Sequence, residues 1–159
     1  MKGFPAGRYR KQTLRFYPAP FVAPLRAFAV LTFPWRGDQV LVCDIADRGW
    51  CVPSGRVEPN ETSRQAAERE TREESGAILQ DLQYIGCYQI SEDSEVRWAD
   101  CFTAHVSALE EILTANESKG RRFVPITELA DIYHLWNDLT ERVFEHSLCV
   151  LRRAEKRND

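Results

Sequence analysis

Apolar and polar residues alternate along this chain in short stretches that read first as strands. Gln12 to Tyr17 suits a first strand, and Pro18, Pro20 and Pro24 punctuate the loop after it. Residues 27–33 and 39–44 are rich in apolar and β-branched side chains, and Arg36-Gly37-Asp38 between them supplies a turn, so the two read as a hairpin of core strands. Trp50 to Val52 forms a short strand ahead of a Pro53-Ser54-Gly55 turn. Residues 82–90 and 96–106 read as two further strands around an acidic loop, Ser91 to Glu95, and residues 123–126 as another. Thr127 is placed to cap a short helix. Leu135, Leu139, Val143, Phe144, Leu148 and Leu151 recur at helical spacing, which predicts a helix over 135–152 covering one face of the sheet.

One stretch carries a different pattern. Thr62 and Gln65 have the spacing of a capping box, and Gly76 supplies the left-handed residue that commonly closes a helix, so a helix is expected over 63–75. Within it Glu70, Glu73 and Glu74 stand at i, i+3 and i+4, which turns three carboxylates to one face. Such a cluster repels itself unless a cation joins it, and hard oxygen ligands suit Mg²⁺ or Mn²⁺, which in turn implies a phosphorylated substrate. The plainer alternative is a solvated helix held by pairs such as Glu68 with Arg72 and Arg69 with Glu73. Ala66 and Ala67 are the only aliphatic residues in this helix, so it has little apolar surface of its own to bury, and small residues permit close packing on a neighbour.

Composition narrows the field. With 159 residues, 43% of them hydrophobic, the chain suits one domain over 1–159 with a sizeable core. A net charge of −3 is too small to argue for a nucleic-acid surface or an acidic tail, although Arg8, Arg10, Lys11 and Arg15 form a local basic cluster. Five cysteines without short paired spacing argue against zinc or a disulfide framework and fit reduced, mostly buried thiols in the cytoplasm. The apolar run over 19–33 is broken by two prolines and Arg26, too short and interrupted for a membrane span.

Gly55, Glu61, Arg69, Glu70, Glu73, Glu74 and Gly76 together match the Nudix box over 55–77, and all its invariant letters are present. The wider runs DRGWCVPSGRVEP, YIGCYQI and NESKG before FVPITEL resemble the MutT-type branch, particularly nucleoside triphosphatases acting on 8-oxo-dGTP. The resemblance implies an α+β fold (an α/β/α sandwich) with a mixed sheet and the box as loop, helix and loop. It implies that Glu70, Glu73 and Glu74 hold the metal with the Gly55 carbonyl, and that Arg69 and Glu61 tie loop to helix. It further implies an acidic residue from a later loop as ligand or base, for which Glu117 is the candidate and Glu92, Asp93 and Glu95 the competitors. Thr71 and Ala77 stand where the motif prefers apolar residues, and Ser54 where a second glycine is commoner; these bear on helix seating more than on ligation.

The activity implied is hydrolysis of a nucleoside triphosphate to monophosphate and pyrophosphate by a metal-dependent enzyme with no DNA-binding domain. Alternatives are another diphosphate-linked substrate, such as an RNA 5′ end, ADP-ribose, a dinucleoside polyphosphate or a nucleotide sugar, or a non-catalytic binding module. Subgroups acting on ADP-ribose or dinucleoside polyphosphates usually carry Pro or Tyr a short way beyond the box, and residues 92–95 hold neither. Candidate substrate contacts are Trp35 and Trp98 for stacking on a base, Lys119 and Arg26 for phosphate and Asn137 for a purine edge, with Trp35 and Trp98 expected to be partly exposed. Monomer and homodimer both stay open.

Overall fold

The structure, a computed structural model, describes residues 3–112 and 117–158. Gly37, at φ 64°, turns strand β3 (Ala29–Arg36) back on β4 (Gln39–Ile45), with Trp35 opposite Val40, so the expected hairpin forms. Around it lie β1 (Gly7–Tyr9), β2 (Gln12–Pro18), β5 (Gly49–Cys51) and β6 (Ser54–Arg56), then helix α1 (Ser63–Ser75). The chain continues as β7 (Ala77–Glu92), β8 (Glu95–Leu109), β9 (Ser118–Pro125), α2 (Ile126–Ile132) and α3 (Asp138–Asn158).

The sheet runs β1-β2-β7-β8-β3-β4-β5, with β6 beside β3 and β9 beside β4. Among the described strands β3 and β8 alone pair in parallel, Val30 opposite Asp100 and Trp35 opposite His105, so the sheet is mixed. Helices cover both faces. On one, Leu139, Val143, Phe144 and Leu151 of α3 pack with Phe16, Phe33, Trp35 and Ile85. On the other, Ala66 and Ala67 of α1 pack with Val30, Leu82, Phe102 and Ala104. This is the expected α+β sandwich. Among the described residues no helix is long and apolar enough to cross a membrane.

The elements depart from expectation where a local pattern is interrupted. The strands β7 and β8 are 16 and 15 residues long. Their pairing shifts register at Ile78/Leu79, at Gln80/Gln83 and at Tyr84/Gly86, and bulges of this kind break the period of two from which strand ends are read. The expected acidic loop contracts to a tight turn with Asp93 at φ 54° and Glu92 paired to Glu95. Helix α2 starts at Ile126 after Pro125, so Thr127 lies inside it and does not cap it. Helix α3 starts three residues late because Asn137 and Thr140 bond reciprocally at its first turn, side chain to backbone N–H, at 2.9 and 2.8 Å. Strands β1 and β6 were not foreseen.

Candidate active site

Local chemistry sets the box helix at both ends. The Thr62 hydroxyl accepts from the Gln65 N–H at 3.1 Å while the Gln65 side chain accepts from the Thr62 N–H at 2.9 Å, and Gly76 closes the helix at φ 73°. Ala66, Glu70 and Glu74 follow one another at four-residue intervals, so the line of the helix that buries Ala66 against the sheet also brings both glutamates onto strand β6. Glu74 is buried, and its Oε1 accepts from the Ser54 backbone N–H at 2.7 Å. Glu70 lies on Gly55 so closely that a β-carbon there would stand 2.1 Å from its carboxyl carbon. Glycine at 55 is thus what lets Glu70 lie against the strand, and the reason is space, not φ.

Arg69 organises the acidic residues around it. Its Nε and Nη2 grip both oxygens of Glu61 at 3.1 and 2.6 Å, and Nη2 also donates to the Arg56 carbonyl at 3.0 Å, which ties the loop to the helix. Its Nη1 reaches Glu70 Oε1 at 2.8 Å and Glu73 Oε2 at 3.2 Å. Held by that guanidinium and by the Glu58 N–H, Glu61 drops to about 2.

Glu74 and Glu70 shift the other way. Burial, then the like charges of Glu70 and Glu117, pushes Glu74 up to about 7 against the pull of the Ser54 N–H. Burial also raises Glu70, opposed by Arg69 and reinforced by Glu73 and Glu117. Glu117 is exposed, and its carbonyl accepts from the Ala46 N–H at 2.7 Å, which fixes its backbone beside β4. Its negative charge is felt at the box, where it adds to the rise of both Glu70 and Glu74.

Among the described residues no three His, Cys, Asp or Glu side chains are gathered tightly enough to hold a metal ion as they stand. Arg69 draws Glu70 and Glu73 to itself, and Glu74 is turned to Ser54. The donor set nevertheless fits a hard divalent cation. All the groups are oxygens, the Gly55 cradle presses Glu70 against backbone, and two of the carboxylates are held in surroundings that disfavour their charge.

The opposite side of the sheet carries a cavity of about 380 Å³ that extends to Ser54, Gly55 and Arg56. Tyr9, Phe28, Tyr88, Tyr133 and Leu135 wall it, and Arg48 stands on its rim with Cys51. None of the five side chains expected to touch substrate borders it. Trp35 is fully buried in β3 and donates to Ser147 Oγ at 3.1 Å. Trp98 is buried as well, against Tyr17 and Phe21. The exposure expected of both from their nearness to turns is corrected by the β3–β8 pairing, which carries both into the sheet. Asn137 is engaged at the start of α3, Arg26 donates to the carbonyls of Glu58 and Glu61 at 2.6 and 3.1 Å, and Lys119 is exposed on β9. The aromatic run from Tyr133 to Trp136 was the available signal for the cavity, but helical spacing absorbed its end.

The family model of the NUDIX domain matches residues 24–145, and the chain belongs to the Nudix family. It is 33% identical over 108 residues to a Bacillus subtilis (strain 168) protein named "Putative 8-oxo-dGTP diphosphatase YtkD", a match covering 67% of this chain and 66%, just under two thirds, of that protein. The crystal structure of the Bacillus subtilis pyrophosphohydrolase BsRppH is similar over 97% of this chain and 98% of its own, with a TM-score of 0.74 and 26% identity. A NUDIX hydrolase from Nitrosomonas europaea shares the fold at TM-score 0.63 and 18% identity, over 79% of this chain and 90% of that one. Nudix hydrolases generally use divalent metal ions.

Proposed function

We propose that this hydrolase cleaves nucleoside triphosphates, 8-oxo-dGTP among them, to nucleoside monophosphate and pyrophosphate, using Mg²⁺ or Mn²⁺. One observation carries the reading: a cavity of about 380 Å³ with aromatic walls meets the acidic box at Ser54 and Gly55, so a base in the cavity would lead its phosphates to the carboxylates. The relative named for 8-oxo-dGTP supports the choice of substrate. Tyr9, Gln12 and Leu14, which precede the matched stretch, help to wall the cavity.

In this reading Glu70, Glu73, Glu74 and the Gly55 carbonyl would hold the cation. When bound, it supplies neutralisation of the anhydride oxygens and a more acidic water. Arg69 keeps Glu70 and Glu73 from swinging into solvent, and its grip on Glu61 holds the loop against the helix. Glu117 receives the proton of the attacking water, being exposed and close enough to raise both Glu70 and Glu74. Water adds to one phosphorus in line, the bridging P–O bond breaks, and pyrophosphate leaves. The five free cysteines, four of them buried, suit a reducing cytoplasm.

A second reading keeps the same cleavage on another diphosphate-linked substrate, an RNA 5′ end included, and the similarity over nearly the whole chain to BsRppH, named as a pyrophosphohydrolase, supports the cleavage. Release of pyrophosphate against phosphate from canonical and oxidised triphosphates, ADP-ribose, diadenosine polyphosphates and triphosphorylated RNA, with Mg²⁺ or with EDTA, separates the two. Metal-dependent pyrophosphate release fastest from a free triphosphate is expected. Turnover confined to the other substrates moves the assignment to the second reading, and no turnover at all defeats both.

A further inference from the structure

Most guanidinium groups around the box are engaged by the protein itself. Arg26 donates to the carbonyls of Glu58 and Glu61, Arg64 to that of Leu82, and Arg121 to those of Ser75 and Glu110, while Arg69 holds three carboxylates. Arg48 differs. It is exposed on the turn between β4 and β5, and among the described residues only its Nη1 finds acceptors: Ser54 Oγ at 3.2 Å and Cys51 Sγ at 3.9 Å, both uncharged. Among the described residues no carboxylate lies within ion-pair distance of it.

Its position relates the two halves of the site. Arg48 borders the cavity between Cys51 and Ser54, and Ser54, which it touches through the hydroxyl, gives its backbone N–H to Glu74. The guanidinium and the buried carboxylate thus flank one residue. A fork of unused N–H donors at the rim of an apolar cavity, next to a cluster of carboxylates, fits an anion that is joined to whatever fills the cavity.

We propose that Arg48 is a substrate-binding residue for the phosphate attached directly to the nucleoside, while the outer phosphates go to the box carboxylates and their cation. This rests on the function proposed above and adds to it a residue for the innermost phosphate. It separates the two products: the monophosphate retains the group that Arg48 holds, and pyrophosphate lacks it.

Calorimetric titration of the full chain with dGMP and with inorganic pyrophosphate, both in Mg²⁺, tests the assignment in wild type, Arg48→Gln and Arg48→Lys. Arg48→Gln is expected to weaken dGMP roughly 10- to 100-fold while pyrophosphate changes by less than about 3-fold. KM for the triphosphate should rise more than kcat falls. Arg48→Lys should recover part of the dGMP affinity, since lysine keeps the charge without the fork. Unchanged dGMP affinity in Arg48→Gln overturns the proposal, and so does equal weakening of both ligands. Wild-type turnover with an indifferent Arg48→Gln defeats this assignment alone, whereas a wild type that neither binds dGMP nor cleaves any triphosphate defeats the functional reading and this assignment with it.

Discussion

Gly55→Ala should separate catalysis from folding. An added β-carbon would stand 2.1 Å from the carboxyl carbon of Glu70 and 2.3 and 2.5 Å from its oxygens. An ordinary carbon contact needs about 3.5 Å, so starting from 2.1 Å the Glu70 carboxyl must retreat by about 1.4 Å. It can do so, because the obstacle is the far end of a flexible side chain. Gly55 is not among the residues with positive φ, so alanine meets no backbone strain there. Stability changes little. The Arg69–Glu70 pair, with side chains 28% and 16% exposed, contributes about 1 kcal/mol or less, and Arg69 keeps Glu61 and Glu73. Stiffening the unfolded chain offsets that by about 0.4–1 kcal/mol.

The expected result is a Tm within about 4 °C of wild type. Activity should respond quite differently, since a displacement of this size in a group that positions the reacting atoms costs roughly 10²-fold, or about 2.7 kcal/mol of barrier. The assay is a thermal melt alongside steady-state pyrophosphate release at a series of Mg²⁺ concentrations. An activity within about 3-fold of wild type would refute the argument that Glu70 must lie against Gly55 to work. A large loss of Tm would show instead that the contact is structural.

Three further outcomes are expected. Glu73→Gln should lower kcat/KM at least roughly 10²-fold at saturating Mg²⁺, and a near-wild-type rate there would remove Glu73 from the ligand set. In metal-free protein Glu74 sits at about 7 against its ordinary 4.5, so the folded state holds the extra proton between those values and stability falls as pH rises from 4.5 to 7, by up to about 3 kcal/mol. His134, lowered to about 4 by burial and by Arg48 and Arg10, acts oppositely between pH 4 and 6.5, so the readout is the difference between wild type and Glu74→Gln in urea unfolding with EDTA; identical slopes would contradict the burial argument. Trp35→Phe, which removes the bond to Ser147 in a fully buried position, should cost about 1–3 kcal/mol in denaturant unfolding and leave KM unaltered, and a raised KM would restore Trp35 as a substrate contact.

What could be read from the sequence was whatever is fixed by neighbours along the chain. Helix α1 has the ends expected of it because each rests on side chains within a few residues: the Thr62–Gln65 box and the left-handed Gly76. The β3–β4 hairpin is legible for the same reason. Strand ends at β7 and β8 were not, since three register shifts break the alternation that would reveal them. Trp35 and Trp98 looked exposed because turns stand near them in sequence, but burial depends on partners far away: Ser147 for the first, Tyr17 and Phe21 for the second.

The same distinction divides the site. The carboxylate half lies within one stretch of 23 residues, 55–77, so spacing alone exposes it. The cavity half is gathered from Tyr9 to Phe144, across β1, the β4–β5 turn and the connection from α2 to α3, and no periodicity links those positions. The two meet at Ser54 and Gly55, which serve both: Ser54 through its N–H to Glu74 and its hydroxyl to Arg48, Gly55 through the space it leaves for Glu70 and its place on the cavity wall. In the proposed function, substitutions in the cavity change which base is accepted without disturbing the carboxylates, while the chemistry stays tied to the box. A chain can keep every letter of the motif and still differ in substrate, and for that reason the residues that choose the substrate are to be sought outside it.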